Sequence, residues 1–166
     1  MADEPPLDLS APFDRCRDRI IADWVDANQH MNVAYYMVVF DKATEAFLQQ
    51  LGIGRAYTES GAGTVFALEA NIRYERELRL QEEVRITTRL VDHDRKLMHL
   101  LHSMRREGSG ERAATMELLL LHVDPVTRRS SPWPPEAREW IEAIAAAHSV
   151  LASPGDARLK IRIAQK

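Results

Sequence analysis

The clearest pattern in the chain is an apolar stripe with helical spacing after residue 32. Its members recur at spacings of four, three, four and four residues, which places them on one face of an α-helix; they are Tyr36, Phe40, Ala43, Phe47 and Leu51. Asn32 precedes the stripe as a candidate N-cap, and Gly52 follows it as a candidate C-terminal glycine. The pattern therefore predicts one long helix over residues 33–51, whose apolar face needs a broad partner surface.

A second pattern, alternation with a period of two, follows this helix. Val84, Ile86, Thr88 and Leu90 alternate with polar residues, as is typical of a half-buried strand. Strands are predicted over residues 64–74, 84–90, 96–105 and 112–124, with a hairpin turn at 107–110. A short strand is also predicted over residues 18–25, and a final helix over residues 135–148.

This order of elements predicts an α+β fold, with a curved antiparallel sheet wrapped around one long central helix. Residues 1–17 are predicted to be an N-terminal arm, residues 18–125 the folded domain, and residues 126–166 a C-terminal helix and tail. Because the edges of such a sheet carry unpaired backbone groups, we expect pairing with a second copy.

Composition favours one soluble domain and excludes several classes of protein. The 166 residues are 45% hydrophobic with a net charge of −3, so no nucleic-acid partner is expected. The single cysteine, Cys16, can form neither an intrachain disulfide nor a cysteine-rich metal site. The acidic, proline-rich start has no signal-peptide pattern, and the apolar stretch at residues 33–40 is too short to cross a bilayer. We therefore expect a cytoplasmic protein without membrane contact.

The histidines do not predict a metal site. His99 and His102 are three residues apart on a predicted strand and so point to opposite faces. His93 lies in a predicted turn and His148 near the end of a predicted helix. For all four we expect structural or solvated roles, and no metal.

The best candidate for chemistry is the polar segment 26–32 (DANQHMN), directly before the long helix. The first amides of a helix lack partners and carry partial positive charge, so they can hold a developing oxyanion. Asp26 could act there as a base or nucleophile on a docked carbonyl. Alternatively, Asp26 and Asn28 only satisfy amides of the turn, and His30 packs against the helix. Spacing alone favours this second interpretation.

Longer motifs around this segment carry a resemblance to a known family. They are WVDANQHMNVAYY at 24–36, LGI at 51–53, EANIRY at 69–74 and LLLLHVD at 118–124. Over residues 18–125 the chain resembles the hot-dog fold acyl-CoA thioesterases of the 4-hydroxybenzoyl-CoA thioesterase type. More narrowly, it is similar to thioesterase domains associated with carnitine dehydrogenase, a group linked to betainyl-CoA hydrolysis and carnitine metabolism.

The resemblance implies roles for residues of the turn. Asp26 falls on the family's catalytic aspartate, and Val33 falls where a backbone amide polarises the thioester carbonyl. His30 and Asn32 match the family's turn and are expected to shape the site. Gln29 stands where many members have glycine; if that glycine has a positive φ, either Gln29 adopts it at some energetic cost or the turn differs.

The resemblance also implies an acyl-CoA substrate, no further cofactor, and a homodimer or a dimer of dimers (a homotetramer). A betainyl group would need an aromatic cage, and the available rings are Trp24, Tyr35, Tyr36 and Trp133. Tyr36 lies on the apolar stripe, where core packing is the simpler role. The phosphates of CoA need positive groups; the candidates are Arg73, Arg128 and Arg129. Glu69 is either a substrate contact or cation partner, or part of the solvent face of its strand.

The expected reaction is hydrolysis of an acyl-CoA thioester to free CoA and a carboxylate. Three alternatives remain at this point: a thioesterase for another short, medium or aromatic acyl group, a hot-dog hydratase, and a non-catalytic module that binds acyl-CoA. The hydratase is disfavoured because its Asp/His motif is not apparent in the sequence.

Overall fold

A computed structural model describes residues 8–152 and 159–164 of the chain. The long helix α1 (Val33–Gln50) is followed by a short helix α2 (Arg55–Glu59), and α3 (Pro135–His148) comes after the sheet. The strands are β1 (Phe13–Arg19), β2 (Thr64–Tyr74), β3 (Glu83–His93), β4 (Leu97–Arg106), β5 (Arg112–Asp124) and the two-residue β6 (Arg129–Ser130). All pairs are antiparallel and the sheet order is β1-β3-β4-β5-β2, with β6 paired to the end of β5.

Helix α1 packs its apolar stripe on one face of the sheet, as the spacing predicted. Phe40, Ala43 and Phe47 are wholly buried there. Asn32 caps the helix through its side chain, and Gly52 follows the last turn with φ +70°. The α+β fold with one long helix against a curved antiparallel sheet is confirmed.

A buried histidine fastens α1 to the sheet. His102 on β4 has Nε2 3.1 Å from Thr44 Oγ1 of α1 and Nδ1 2.9 Å from Thr88 Oγ1 of β3. Thr44 donates its hydroxyl proton to the carbonyl oxygen of Phe40, so it accepts from Nε2, and Nδ1 accepts from Thr88. Burial lowers the pKa of His102 from 6.5 to about 3, so the ring is neutral.

Part of the other face of the sheet, around Glu117, is covered by residues near the C-terminus. The backbone amides of Lys160 and Ile161 donate to the buried carboxylate of Glu117 on β5, at 2.8 and 2.9 Å. His99 on β4 lies 3.1 Å from the same carboxylate. Burial lowers the pKa of His99, although Glu117 opposes this shift. Both histidines thus have structural partners.

The strand predicted over residues 18–25 is wrong. β1 ends at Arg19, and Ala22–Trp24 form a short 3-10 helix. β1 begins at Phe13, so residues 13–17 of the predicted arm pair within the sheet. The remaining boundaries of the domain division stay predictions, and residues 1–7, 153–158 and 165–166 lie outside the described residues.

The error arose because β1 consists mostly of charged residues. They pair across to β3: Arg85 donates to Asp14 at 2.9 Å, and Arg19 forms an ion pair with Glu83. Such a strand carries almost no hydrophobic alternation. The β-forming residues follow it, where Ile20 and Trp24 are buried but Ile21 is exposed. In the described part of the chain, no helix is long and apolar enough to cross a membrane.

Candidate active site

The segment before α1 is a tight turn closed by a short bridge between Val25 and Met31. The amide of Asp26 donates to the carbonyl of His30 at 2.9 Å, and the amide of Gln29 donates to the carbonyl of Asp26 at 3.0 Å. Gln29 has φ 65°, the left-handed conformation that such turns usually assign to glycine. Of the two outcomes that the sequence left open, Gln29 adopts the positive φ.

The start of α1 presents one open amide. The side-chain oxygen of Asn32 accepts from the amide of Ala34, and its carbonyl oxygen accepts from the amide of Tyr35, both at 3.0 Å. Within residues 8–152 and 159–164, the amide of Val33 has no hydrogen-bond partner. Val33 is 59% exposed. This helix end can therefore receive a negatively polarised oxygen at Val33.

The carboxylate of Asp26 is half-buried and held by one oxygen. Its Oδ1 accepts from the amide of Asn28 at 2.8 Å. Asp26 therefore also satisfies an amide of the turn, as the alternative interpretation of this segment predicted. Oδ2 has no hydrogen-bond partner among the described residues. The carboxylate is thus oriented by the turn while one oxygen stays available for chemistry.

His30 ties the turn to the connection between β2 and β3. Its Nε2 lies 3.0 Å from a carboxylate oxygen of Glu77, and the neighbouring amide of Met31 donates to the carbonyl of Leu78 at 2.7 Å. No described hydrogen bond joins the ring to the Asp26 carboxylate. The polar partner of the His30 ring is therefore Glu77.

Two of the predicted substrate-binding rings are packed inside the protein. Trp24 is 9% exposed, stacks on Tyr35 with ring centres 5.7 Å apart, and has the ammonium of Lys42 4.9 Å from its ring centre. Tyr36 is 3% exposed and donates its hydroxyl to the carbonyl of Arg76 at 3.3 Å. A third ring, Trp133, is buried, and its amide donates to the carbonyl of Arg95 in the β3–β4 turn.

Glu69 and Arg73 are not brought to the turn within one protomer. The register of β2 opposite β5 pairs Tyr74 with Ala114, and successive strand residues point to opposite faces. Tyr74 faces α1, so Arg73 faces away from it, and Glu69 shares the face of Arg73. Both are exposed.

The other arginines lie elsewhere. The guanidinium of Arg128 lies 5.5 Å from the ring centre of Phe66, and Arg129 is exposed in β6, beside the end of β5. The structure therefore gathers Asp26, His30, Asn32 and Val33, and separates them from the predicted CoA-binding arginines.

Sequence reasoning missed Tyr74, which lies beside the start of α1. Its hydroxyl oxygen is 3.5 Å from the carbonyl oxygen of Val33, and its ring meets that of Tyr36 edge to face with centres 5.1 Å apart. Tyr74 is 48% exposed. The alternation of Ala70, Ile72 and Tyr74 showed that these residues share a face, but only the pairing with β5 shows that this face meets the helix.

Sequence comparison identifies the family. Residues 21–141 match the thioesterase-like superfamily. A betainyl-CoA thioesterase of Pseudomonas aeruginosa is 34% identical over 135 residues, which cover 81% of this chain and 85% of that protein. An L-carnitine dehydrogenase/betainyl-CoA thioesterase of Rhizobium meliloti is 32% identical over 151 residues, covering 91% of this chain but 30% of that longer protein.

Solved structures agree with this match. A hypothetical protein of Staphylococcus aureus in complex with CoA superposes with a TM-score of 0.82 at 27% identity, covering 92% of this chain and 96% of that one. A putative thioesterase of Pseudomonas putida gives a TM-score of 0.77 at 29% identity, covering 93% and 98%. The predicted fold and enzyme class are both confirmed. The chain belongs to the thioesterase-like superfamily and is a hot-dog fold acyl-CoA thioesterase.

Proposed function

We propose that this protein hydrolyses betainyl-CoA to free CoA and betaine. The single observation that best supports a hydrolytic site is the open amide of Val33 at the start of α1. It lies directly after the turn that orients Asp26. The choice of acyl group is supported by the Pseudomonas aeruginosa relative, whose match covers most of both chains.

In the proposed reaction the thioester carbonyl oxygen accepts a hydrogen bond from the amide of Val33. The positive end of the helix dipole stabilises the negative charge that develops on this oxygen. Asp26, through its available oxygen, either attacks the carbonyl carbon or takes a proton from the water that does so. The carbon–sulfur bond then breaks, water supplies the new oxygen of the carboxylate, and CoA leaves as the thiol.

Asn32 and His30 act as positioning residues in this proposal. Because the side chain of Asn32 already accepts from the amide of Ala34, the thioester carbonyl is directed to the amide of Val33. His30 and Glu77 hold the turn against the β2–β3 connection. Trp24 and Tyr36 support the site from behind, and the substrate-contacting roles of Glu69 and Arg73 stay predictions.

We also propose a homodimer formed through β2, with a dimer of dimers as the larger form. β2 lies at one end of the sheet order and exposes Phe66 and Leu68. An edge strand with free backbone groups and exposed apolar side chains favours pairing with an identical strand. Sedimentation velocity of the full chain should give twice or four times the mass of one chain; Leu68→Lys should shift the mass towards one chain. A cytoplasmic location of the protein stays a prediction.

The test of the function is thiol release from a panel of acyl-CoA thioesters. Betainyl-CoA is compared with short-chain, medium-chain and aromatic acyl-CoA, using a thiol reagent as readout. We expect the highest kcat/KM for betainyl-CoA. A higher kcat/KM for another acyl group would contradict the proposed substrate, and binding without turnover of any thioester would identify a non-catalytic module.

A further inference from the structure

A half-exposed aromatic ring stands beside the proposed carbonyl site. The hydroxyl of Tyr74 reaches the carbonyl oxygen of Val33, the residue whose amide is open, so the phenol ring runs along the first turn of α1. The Tyr74 ring lies nearly perpendicular to the Tyr36 ring, with centres 5.1 Å apart, while 48% of Tyr74 remains exposed. The first turn of α1 is therefore flanked by the exposed ring of Tyr74.

The other aromatic rings that could bind a cationic group are less exposed or already have partners. Trp24 already has the ammonium of Lys42 on its ring, and Lys42 is held by Asp18 at 2.6 Å. Tyr35 stacks on Trp24, and Tyr36 is in the core. A quaternary ammonium at the start of the helix would meet Tyr74 without displacing a partner.

The structure of a betainyl thioester places its cation close to the Tyr74 ring. One methylene group separates the trimethylammonium nitrogen from the carbonyl carbon. When the carbonyl oxygen is held by the amide of Val33, the trimethylammonium group therefore lies close to the first turn of α1. A quaternary ammonium cannot donate a hydrogen bond from nitrogen, so the face of an aromatic ring is its natural partner.

We propose that Tyr74 binds the quaternary ammonium of the acyl group through its ring and thereby selects cationic over neutral acyl chains. This inference rests on the proposed function and adds a specificity-determining residue to it. The hydroxyl is dispensable, because the attraction comes from the ring.

The test compares betainyl-CoA with tert-butylacetyl-CoA, an uncharged thioester of nearly the same shape. The measured quantity is the ratio of their kcat/KM values. Tyr74→Leu should lower this ratio about two- to thirty-fold, the range of a cation–π contact. The change should appear mainly in KM for betainyl-CoA, with little change for the neutral substrate. Tyr74→Phe should keep the wild-type ratio.

Trp140→Leu is the matched control. Trp140 is an exposed aromatic residue of α3, outside both the proposed site and the proposed dimer strand. This variant should keep the wild-type ratio, and a thermal unfolding scan checks that every variant is folded.

Three results would overturn the inference. The first is an unchanged ratio in Tyr74→Leu. The second is an equal loss for both substrates, which would make Tyr74 only a packing residue. The third is a wild-type enzyme that hydrolyses the neutral thioester as well as betainyl-CoA, which would leave thioesterase activity in place and remove the selectivity. Failure of the proposed function itself differs from all three, because the wild type would then release no thiol.

Discussion

The side chain of Asn32 accepts a hydrogen bond from the amide of Ala34 at 3.0 Å, while the amide of Val33 between them stays open. An N-cap residue usually satisfies an amide two or three positions later, so the first amide of α1 is left for another acceptor. Capping and oxyanion binding are therefore divided between adjacent amides of one helix turn.

Substitutions of Asn32 should separate these two roles. Asn32→Asp keeps the cap, so the free energy of unfolding should stay within a few tenths of a kcal/mol of the wild type. Its carboxylate lies beside the proposed oxyanion, so kcat should fall. Asn32→Ala loses the cap and about 1 kcal/mol of stability, but should retain more activity than Asn32→Asp. Urea unfolding and thiol release measure the two effects, and activity that instead follows stability would contradict the division.

Gln29 should be a strained position. A side chain in the left-handed region costs about 1–2 kcal/mol, and glycine gives back about 0.5–1 kcal/mol through its greater freedom when unfolded. Gln29→Gly should therefore raise the free energy of unfolding by up to about 1.5 kcal/mol. Ala27→Gly in the same turn, where φ is not positive, should lower it. Destabilisation by Gln29→Gly would show that the side chain of Gln29 supplies a compensating contact.

Acid should destabilise the protein through its buried histidines. In the folded state the pKa of His102 is about 3, against 6.5 for an unperturbed histidine. Between these values the unfolded chain binds the proton and the folded protein does not, so stability is full above pH 6.5 and falls as pH decreases. Each pH unit below 6.5 removes about 1.4 kcal/mol from this group alone.

Urea unfolding between pH 7 and about pH 5 measures this slope before most carboxylates titrate. His102→Gln should be less stable at pH 7 but should show a shallower pH dependence. Burial also lowers the pKa of His99, His122 and His148, so part of the slope should remain. A slope equal to that of the wild type would rule out His102 as its source.

Local sequence signals were sufficient wherever a single segment determines its own structure. The stripe from Tyr36 to Leu51, with a cap at Asn32 and a glycine at position 52, defined α1 because helix periodicity and capping are local. β2, β5 and α3 match their predicted ranges. β1 was mispredicted because it is mostly charged and is defined by its pairing with β3, which lies far from it in sequence.

The candidate site divides in the same way. Asp26, Asn32 and Val33 are neighbours in sequence, so motif and helix physics found them. Tyr74 joins them only through the register of β2 on β5, which no local pattern specifies. Glu69 lies an odd number of residues before Tyr74 in the unbroken register with β5, so it is on the opposite face.

We propose that the carboxylate of Asp26 performs the chemistry at the open amide of Val33. The most direct measurement is kcat of Asp26→Asn for betainyl-CoA, together with the affinity for a non-hydrolysable thioether analogue. Asp23→Asn, an exposed aspartate nearby, is the matched control. We expect kcat of Asp26→Asn to fall at least about a hundredfold with unchanged analogue affinity, and the control to behave as wild type. Wild-type kcat in Asp26→Asn would contradict the account.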